Sequence, residues 1–123
     1  MGTGEVEFPE QLRRKMDEYA HLVYELTKSF PREELYGVTS QLRRASLSVI
    51  LNFVEGFARR KSAVKKNFWE ISYGSLKESK YLIEFSHKEN YLEKKSYQRA
   101  TAMADEIGAM LWRMIDAVNS SYE

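Results

Sequence analysis

The sequence predicts an all-α protein: an antiparallel up-down four-helix bundle that assembles into a ring-like homo-oligomer. Three observations carry that expectation. Apolar residues recur at three- and four-residue steps with no competing alternating pattern. Two prolines and six glycines leave long stretches of the 123 residues uninterrupted. One of the helices is apolar around most of its circumference, more than a single bundle core takes up.

The first helix, about residues 10–29, is marked by Leu12, Met16, Tyr19, Val23, Leu26 and Phe30, one seam of alternating four- and three-residue steps that stops ahead of Pro31. A second helix runs over about 38–59. Ser62 is placed to cap a third, about 62–88, whose inward positions are read as Phe68, Ile71, Ser75 and Leu82. Asn90, Tyr91 and Leu92 make the next turn. Ala100, Ala104, Ile107, Leu111, Met114 and Val118 resume the same stepping in a fourth helix, about 93–119. Four long helices on short connections pack as antiparallel neighbours, here as one domain over residues 1–123.

The second helix sets itself apart. Gln41, Arg44, Ser48, Asn52, Glu55 and Arg59 fall into one polar stripe about 80° wide, and apolar side chains dominate the rest. A bundle helix buries a stripe only a little over about 100° wide. Leu47, Ile50, Leu51, Val54 and Phe57 therefore form a candidate interface with further copies of the chain, because a strip of that size left bare invites aggregation. The plainer alternative is that this helix is simply the most central one.

At 43% hydrophobic content the chain buries a core without disulfides or a metal, and it contains no cysteine to supply either through sulfur. No stretch approaches the ~20 apolar residues that span a bilayer, and residues 1–5 lack the pattern of a leader, so a cytoplasmic protein without membrane contact is expected. The net charge of +1 hides an uneven distribution: residues 37–66 carry seven Lys or Arg against a single Glu, a net +6. Residues 1–36 sum to −3 and residues 67–123 to −2. A concentrated positive segment is the footprint expected of a protein that meets a polyanion.

Catalytic parts are lacking. Two Glu-x-x-His pairs, Glu18 with His21 and Glu84 with His87, have the spacing of carboxylate-bridged metal sites in bundles. Against the seam of the first helix, Glu18 and His21 point outward by about 120° to 180°, and Glu84 lies outside the third helix with His87 flanking its core. Metal ligands in such sites converge inward, so no metal is expected. With no cysteine and no glycine-rich phosphate loop, neither enzymatic activity nor a cofactor is expected.

The polar stripe has two readings. In the structural one, Glu55 pairs with Arg59, and Arg43 or Arg44 reaches Glu78 of the third helix, so that Gln41, Arg43, Arg44, Asn52, Glu55 and Glu78 form a network that fixes register. Gly74, Ser75 and Ser79 then let the third helix come close. In the functional reading, Arg43 and Arg44 join Arg59, Arg60, Lys61, Lys65 and Lys66 in contacting phosphates, with Phe68 and Trp69 nearby as core or interface residues. The corner Arg59-Arg60-Lys61-Ser62 is the part expected to face solvent.

These residues also carry a resemblance. Phe30-Pro31, Glu33-Glu34, Tyr36-Gly37, Thr39 to Ala45, Ser48, Asn52, Glu55-Gly56-Phe57, Arg59, Gly74-Ser75-Leu76 and Glu78 resemble the four-helix bundle proteins encoded in intervening sequences of bacterial 23S ribosomal RNA genes. The chain departs from the usual pattern at Leu51, Phe53, Val54 and Ala58. The resemblance implies homopentameric rings, similar in architecture to the accessory variability determinant of diversity-generating retroelements, which binds nucleic acid and a reverse transcriptase. The expected function is a non-enzymatic scaffold that binds RNA, single-stranded DNA or a nucleic-acid enzyme such as a reverse transcriptase through the basic corner. The alternative is a protein-interaction scaffold that binds no nucleic acid.

Overall fold

The computed structural model describes the backbone of residues 7–122 and the side chains of residues 7–119, so the expectation resting on residues 1–5 falls outside it. Four helices follow one another: α1 (Phe8–Thr27), α2 (Val38–Phe57), α3 (Ser62–Lys88) and α4 (Lys94–Tyr122), with a 3₁₀ turn at Arg32–Glu34 between the first two. No strand occurs among the described residues. Each helix packs on its neighbours in sequence and α4 packs on α1, closing a four-helix bundle.

Side chains link the helices along three of these seams. Val49 and Phe53 of α2 accept hydrogen bonds from Ser72 and Trp69 of α3. Tyr73 and Lys80 of α3 meet Trp112 and Asp105 of α4. Phe8 and Lys15 of α1 meet Arg113 and Glu106. Between them lies a core that draws on all four helices, including Leu12, Met16, Val49, Phe53, Ile83 and Leu111, each under 2% exposed.

Local chemistry sets the ends. Pro9 sits in the first turn of α1, where its missing N–H costs nothing. The end of α1 comes two residues before the expected position. Thr27 turns its hydroxyl back onto the Val23 carbonyl at 2.8 Å, yet Phe30 beyond it is still buried and packs on Tyr91. At the end of α3, Asn90 adopts a left-handed φ of 66°, while its own N–H bonds to the His87 carbonyl and the Tyr91 N–H to the Ser86 carbonyl. This closure satisfies carbonyls the helix leaves free. Glu34 joins two connections, accepting from the Val38 N–H at 3.2 Å and from the Tyr91 hydroxyl at 3.0 Å.

The orientation of α3 corrects the sequence reading. Its buried residues are Trp69, Ser72, Leu76, Ser79, Ile83 and Ser86, whereas Ile71 is 44% exposed and Phe68, Ser75 and Leu82 are half-buried. The helix is thus rotated by about one residue, or 100°, because three serines occupy core positions. Each hydroxyl donates to a carbonyl: Ser72 to Val49, Ser79 to Leu76 and Ser86 to Leu82, at 2.6 to 2.8 Å. Satisfied in this way, serine behaves as a small core residue and lets helices approach. Gly74, by contrast, is exposed and has nothing near it. The glycine that permits close approach is Gly56 of α2, where an added Cβ would lie 2.5 Å from the Trp69 indole nitrogen.

Candidate nucleic-acid interface

The basic corner is built by the end of α2, the link Ala58 to Lys61 and the first turn of α3. Beneath it lies an aromatic cluster. Trp69 stacks on Phe53 at 5.7 Å, meets Phe57 edge-on at 5.6 Å and donates its N–H to the Phe53 carbonyl at 3.1 Å. That cluster anchors the short link, so the cations of the corner project from a fixed base.

The five candidate cations divide by what they touch. Arg59 pairs with Glu55 one turn back and lies over the Phe68 ring at 5.1 Å. Lys65 lies over the rings of Phe57 and Trp69 at 5.3 and 5.5 Å, covering the cluster with its stem. Lys66 faces Glu70 at 3.9 Å. Arg60 and Lys61 are exposed and make no ion pair with any described residue. They line a shallow surface depression with Arg59 and Val64.

Ser62, expected as the cap of α3, is its first helical residue. Lys61 takes the cap position, no side chain bonds the first-turn N–H groups, and no acidic residue stands in that turn. The free N–H groups add the positive end of the helix dipole to the two unpaired cations.

The polar stripe of α2 separates into local contacts instead of one network. Arg43 turns to α1, donating to the Thr27 hydroxyl at 2.8 Å and lying over Tyr24, so it does not take part with Glu78. Arg44 is the residue near Glu78, at 3.9 Å with both side chains largely exposed. Asn52 donates to the carbonyl and hydroxyl of Ser48, which bonds Ser75 across the α2–α3 seam at 2.7 Å. Gln41 is exposed on the surface.

Of the candidate interface residues, Leu47, Leu51, Val54 and Phe57 are 37%, 62%, 46% and 45% exposed, while Ile50 is half-buried against the core. Val54 and Phe57 also form one wall of a pocket whose other wall is the start of α1. The Glu-x-x-His pairs do not converge. Glu18 and His21 are exposed, with His21 3.5 Å from Asp17, and His87 stacks on Tyr97 at 4.2 Å. Glu84 is half-buried, less exposed than the sequence reading placed it. No group of three potential metal ligands occurs among the described residues, and no helix there is long and apolar enough to cross a membrane.

Residues 10–113 match the model of a family described as 23S rRNA-intervening sequence protein. Among solved structures, a protein of unknown function from the S23 ribosomal protein family of Bacteroides thetaiotaomicron is similar, with a TM-score of 0.83 at 21% identity over 89% of this chain and 99% of that one. At this identity the likeness bears on the fold. Comparison with curated proteins finds no match.

Proposed function

Because the chain belongs to the 23S rRNA-intervening sequence protein family, we propose that it is a non-enzymatic, oligomeric scaffold that binds RNA or single-stranded DNA through its α2–α3 corner. The observation that carries this reading is the pair Arg60 and Lys61, exposed, without acidic partners among the described residues, and placed at the uncapped start of α3. An oligoanion gains both charges without first displacing a carboxylate. In the assembly we propose, an antiparallel up-down bundle repeated around a ring, the corners repeat and their potentials add. A pentamer is the ring we favour, and the cytoplasm its setting.

Reversing Arg60→Glu and Lys61→Glu together tests the corner. Lys65 is better left in place, since it covers aromatic rings as well as carrying charge. Surface substitutions shift stability by less than about 0.5 kcal/mol each, so the melting curve should stay near wild type. Affinity for single-stranded nucleic acid should fall, and each lost phosphate contact should flatten the slope of log K on log salt by about 0.7 for single strands. Equal affinity of the two proteins at low salt defeats this reading.

A second reading rests on a separate observation, the exposed run Leu47, Leu51 and Val54. It makes the chain a protein-interaction scaffold whose cations serve subunit contacts, and binding insensitive to salt is its signature.

A further inference from the structure

A groove between α3 and α4 is unused by the corner. Its floor is Leu76, Ala104 and Gly108, and its volume is about 290 Å³. That is at the small end of the ~300–1,000 Å³ found for ligand sites, which favours one planar group over a larger molecule. Gly108 keeps the floor low: a Cβ there would lie 3.4 Å from a Leu76 methyl and 3.8 Å from the Tyr73 ring.

Trp112 and Tyr73 stand at the rim, their rings 5.4 Å apart and inclined by 48°. Trp112 is 50% exposed, in contrast to Trp69 at 3%. Lys77 holds its ammonium 5.3 Å from the Tyr73 centroid, and Lys80 pairs with Asp105 at 2.7 Å. Along α3, Lys66, Tyr73 and Lys77 lie within about 40° of one line, and Lys66 to Lys77 spans about 16 Å of helix rise. Glu70 stands on the same line and pairs with Lys66, as Asp105 does with Lys80, which leaves Lys77 as the cation beside the groove without an ion pair among the described residues.

We propose that this groove takes one unpaired base of a single-stranded nucleic acid, with Trp112 as the stacking surface and Lys77 beside the strand's backbone. The proposal rests on the nucleic-acid reading above and adds to it a preference for unpaired strands. Every base has a π-face, so such a platform is tolerant of sequence, and it excludes duplex, whose bases are already stacked. Charge favours this occupant over a second copy of the chain, because Lys77 stands at the aromatic rim with no acidic partner among the described residues, where the core of a subunit contact would be apolar.

The test compares wild type, Trp112→Ala, Trp112→Tyr and the Arg60→Glu, Lys61→Glu double variant, each checked for helicity. Fluorescence anisotropy follows labelled oligo(U), oligo(dT) and a blunt duplex. Trp112→Ala should weaken both single strands by about tenfold, within the range for loss of one stacked base, at an unchanged salt slope and unchanged duplex affinity. Trp112→Tyr should recover most of the loss. Single strands should also quench wild-type tryptophan emission, since Trp112 is the exposed indole.

Wild-type affinity of Trp112→Ala without quenching overturns the groove and leaves the corner standing. Loss in Trp112→Ala alone, with the double variant unaffected, overturns the corner and keeps the groove. Dissociation of an assembly by Trp112→Ala assigns the groove to subunit contact and overturns the proposal. Absence of binding by wild type overturns both.

Discussion

Tyr19 and Ser79 reach each other across the bundle from α1 and α3, their oxygens 2.7 Å apart at the centre of the core. Burial pushes the phenol up to about 12, the hydrogen bond with Ser79 opposing the shift. The unfolded phenol ionises near 10, so between about pH 10 and 12 the folded state retains a proton that the unfolded state has lost. Stability from this group is whole below pH 10 and falls through the folded value, by about 2 to 3 kcal/mol at most. Tyr19→Phe should cost about 1 kcal/mol at neutral pH through the lost bond. Denaturant melts from pH 9 to 12 should then show a shallower alkaline decline than wild type, and parallel declines would contradict the assignment. Gly56 is the other residue on which packing turns. Gly56→Ala places a methyl against the Trp69 indole and should destabilise by about 1 to 3 kcal/mol, read from the denaturation midpoint.

At the scale of the helix, α1 and α4 were legible from periodicity because large apolar side chains line their inward faces, and Leu12, Met16, Tyr19, Ala100, Ala104, Ile107 and Leu111 are all buried as the stepping requires. The inward face of α3 was not legible. Ser72, Ser79 and Ser86 read as polar in a sequence, and they enter the core because each hydroxyl finds an acceptor, Ser72 at the Val49 carbonyl of α2 and Ser79 and Ser86 at carbonyls one turn back in α3 itself. The nearest signal was the buried-size pair Trp69 and Leu76, seven residues apart on the correct face. On α2 the arc of apolar residues was evident, while its division was not: Ile50 leans on the core and Leu51 stands 62% exposed. Leu51→Glu should therefore leave each bundle folded, with the helical circular dichroism spectrum of wild type at room temperature, because in the single chain this side chain faces outward. Unfolding of the variant would show that α2 needs this face covered in order to stand.

For the whole molecule, the same variant reports on assembly, because a carboxylate forced into an apolar interface costs several kcal/mol. Light scattering should find wild type larger than a single 14.4 kDa chain and Leu51→Glu reduced toward it. A wild-type monomer at micromolar concentration would remove the oligomer, and an assembly of unchanged size in the variant would move the interface elsewhere. The bundle places the basic corner at one end, with the Glu34 and Tyr91 contact at the other. Copies arranged around a common axis would present those corners together.

The sequence by itself determined the four helices, the segment that carries the positive charge and the helix with too much apolar surface for one core. These are properties of order and composition along a single strand of chain, which period and charge counting recover. The Glu55–Arg59 pair was legible as a local spacing, but tertiary structure decided which of the other cations remain available, since Lys65 lies over the rings of Phe57 and Trp69 while Arg60 and Lys61 meet no acidic partner among the described residues. It decided the rotation of α3 as well, and with it the opening of the groove beside Trp112. Both depend on which atoms of one helix stand opposite those of another, and a hydroxyl or an ammonium changes its role with that partner while its letter in the sequence stays the same.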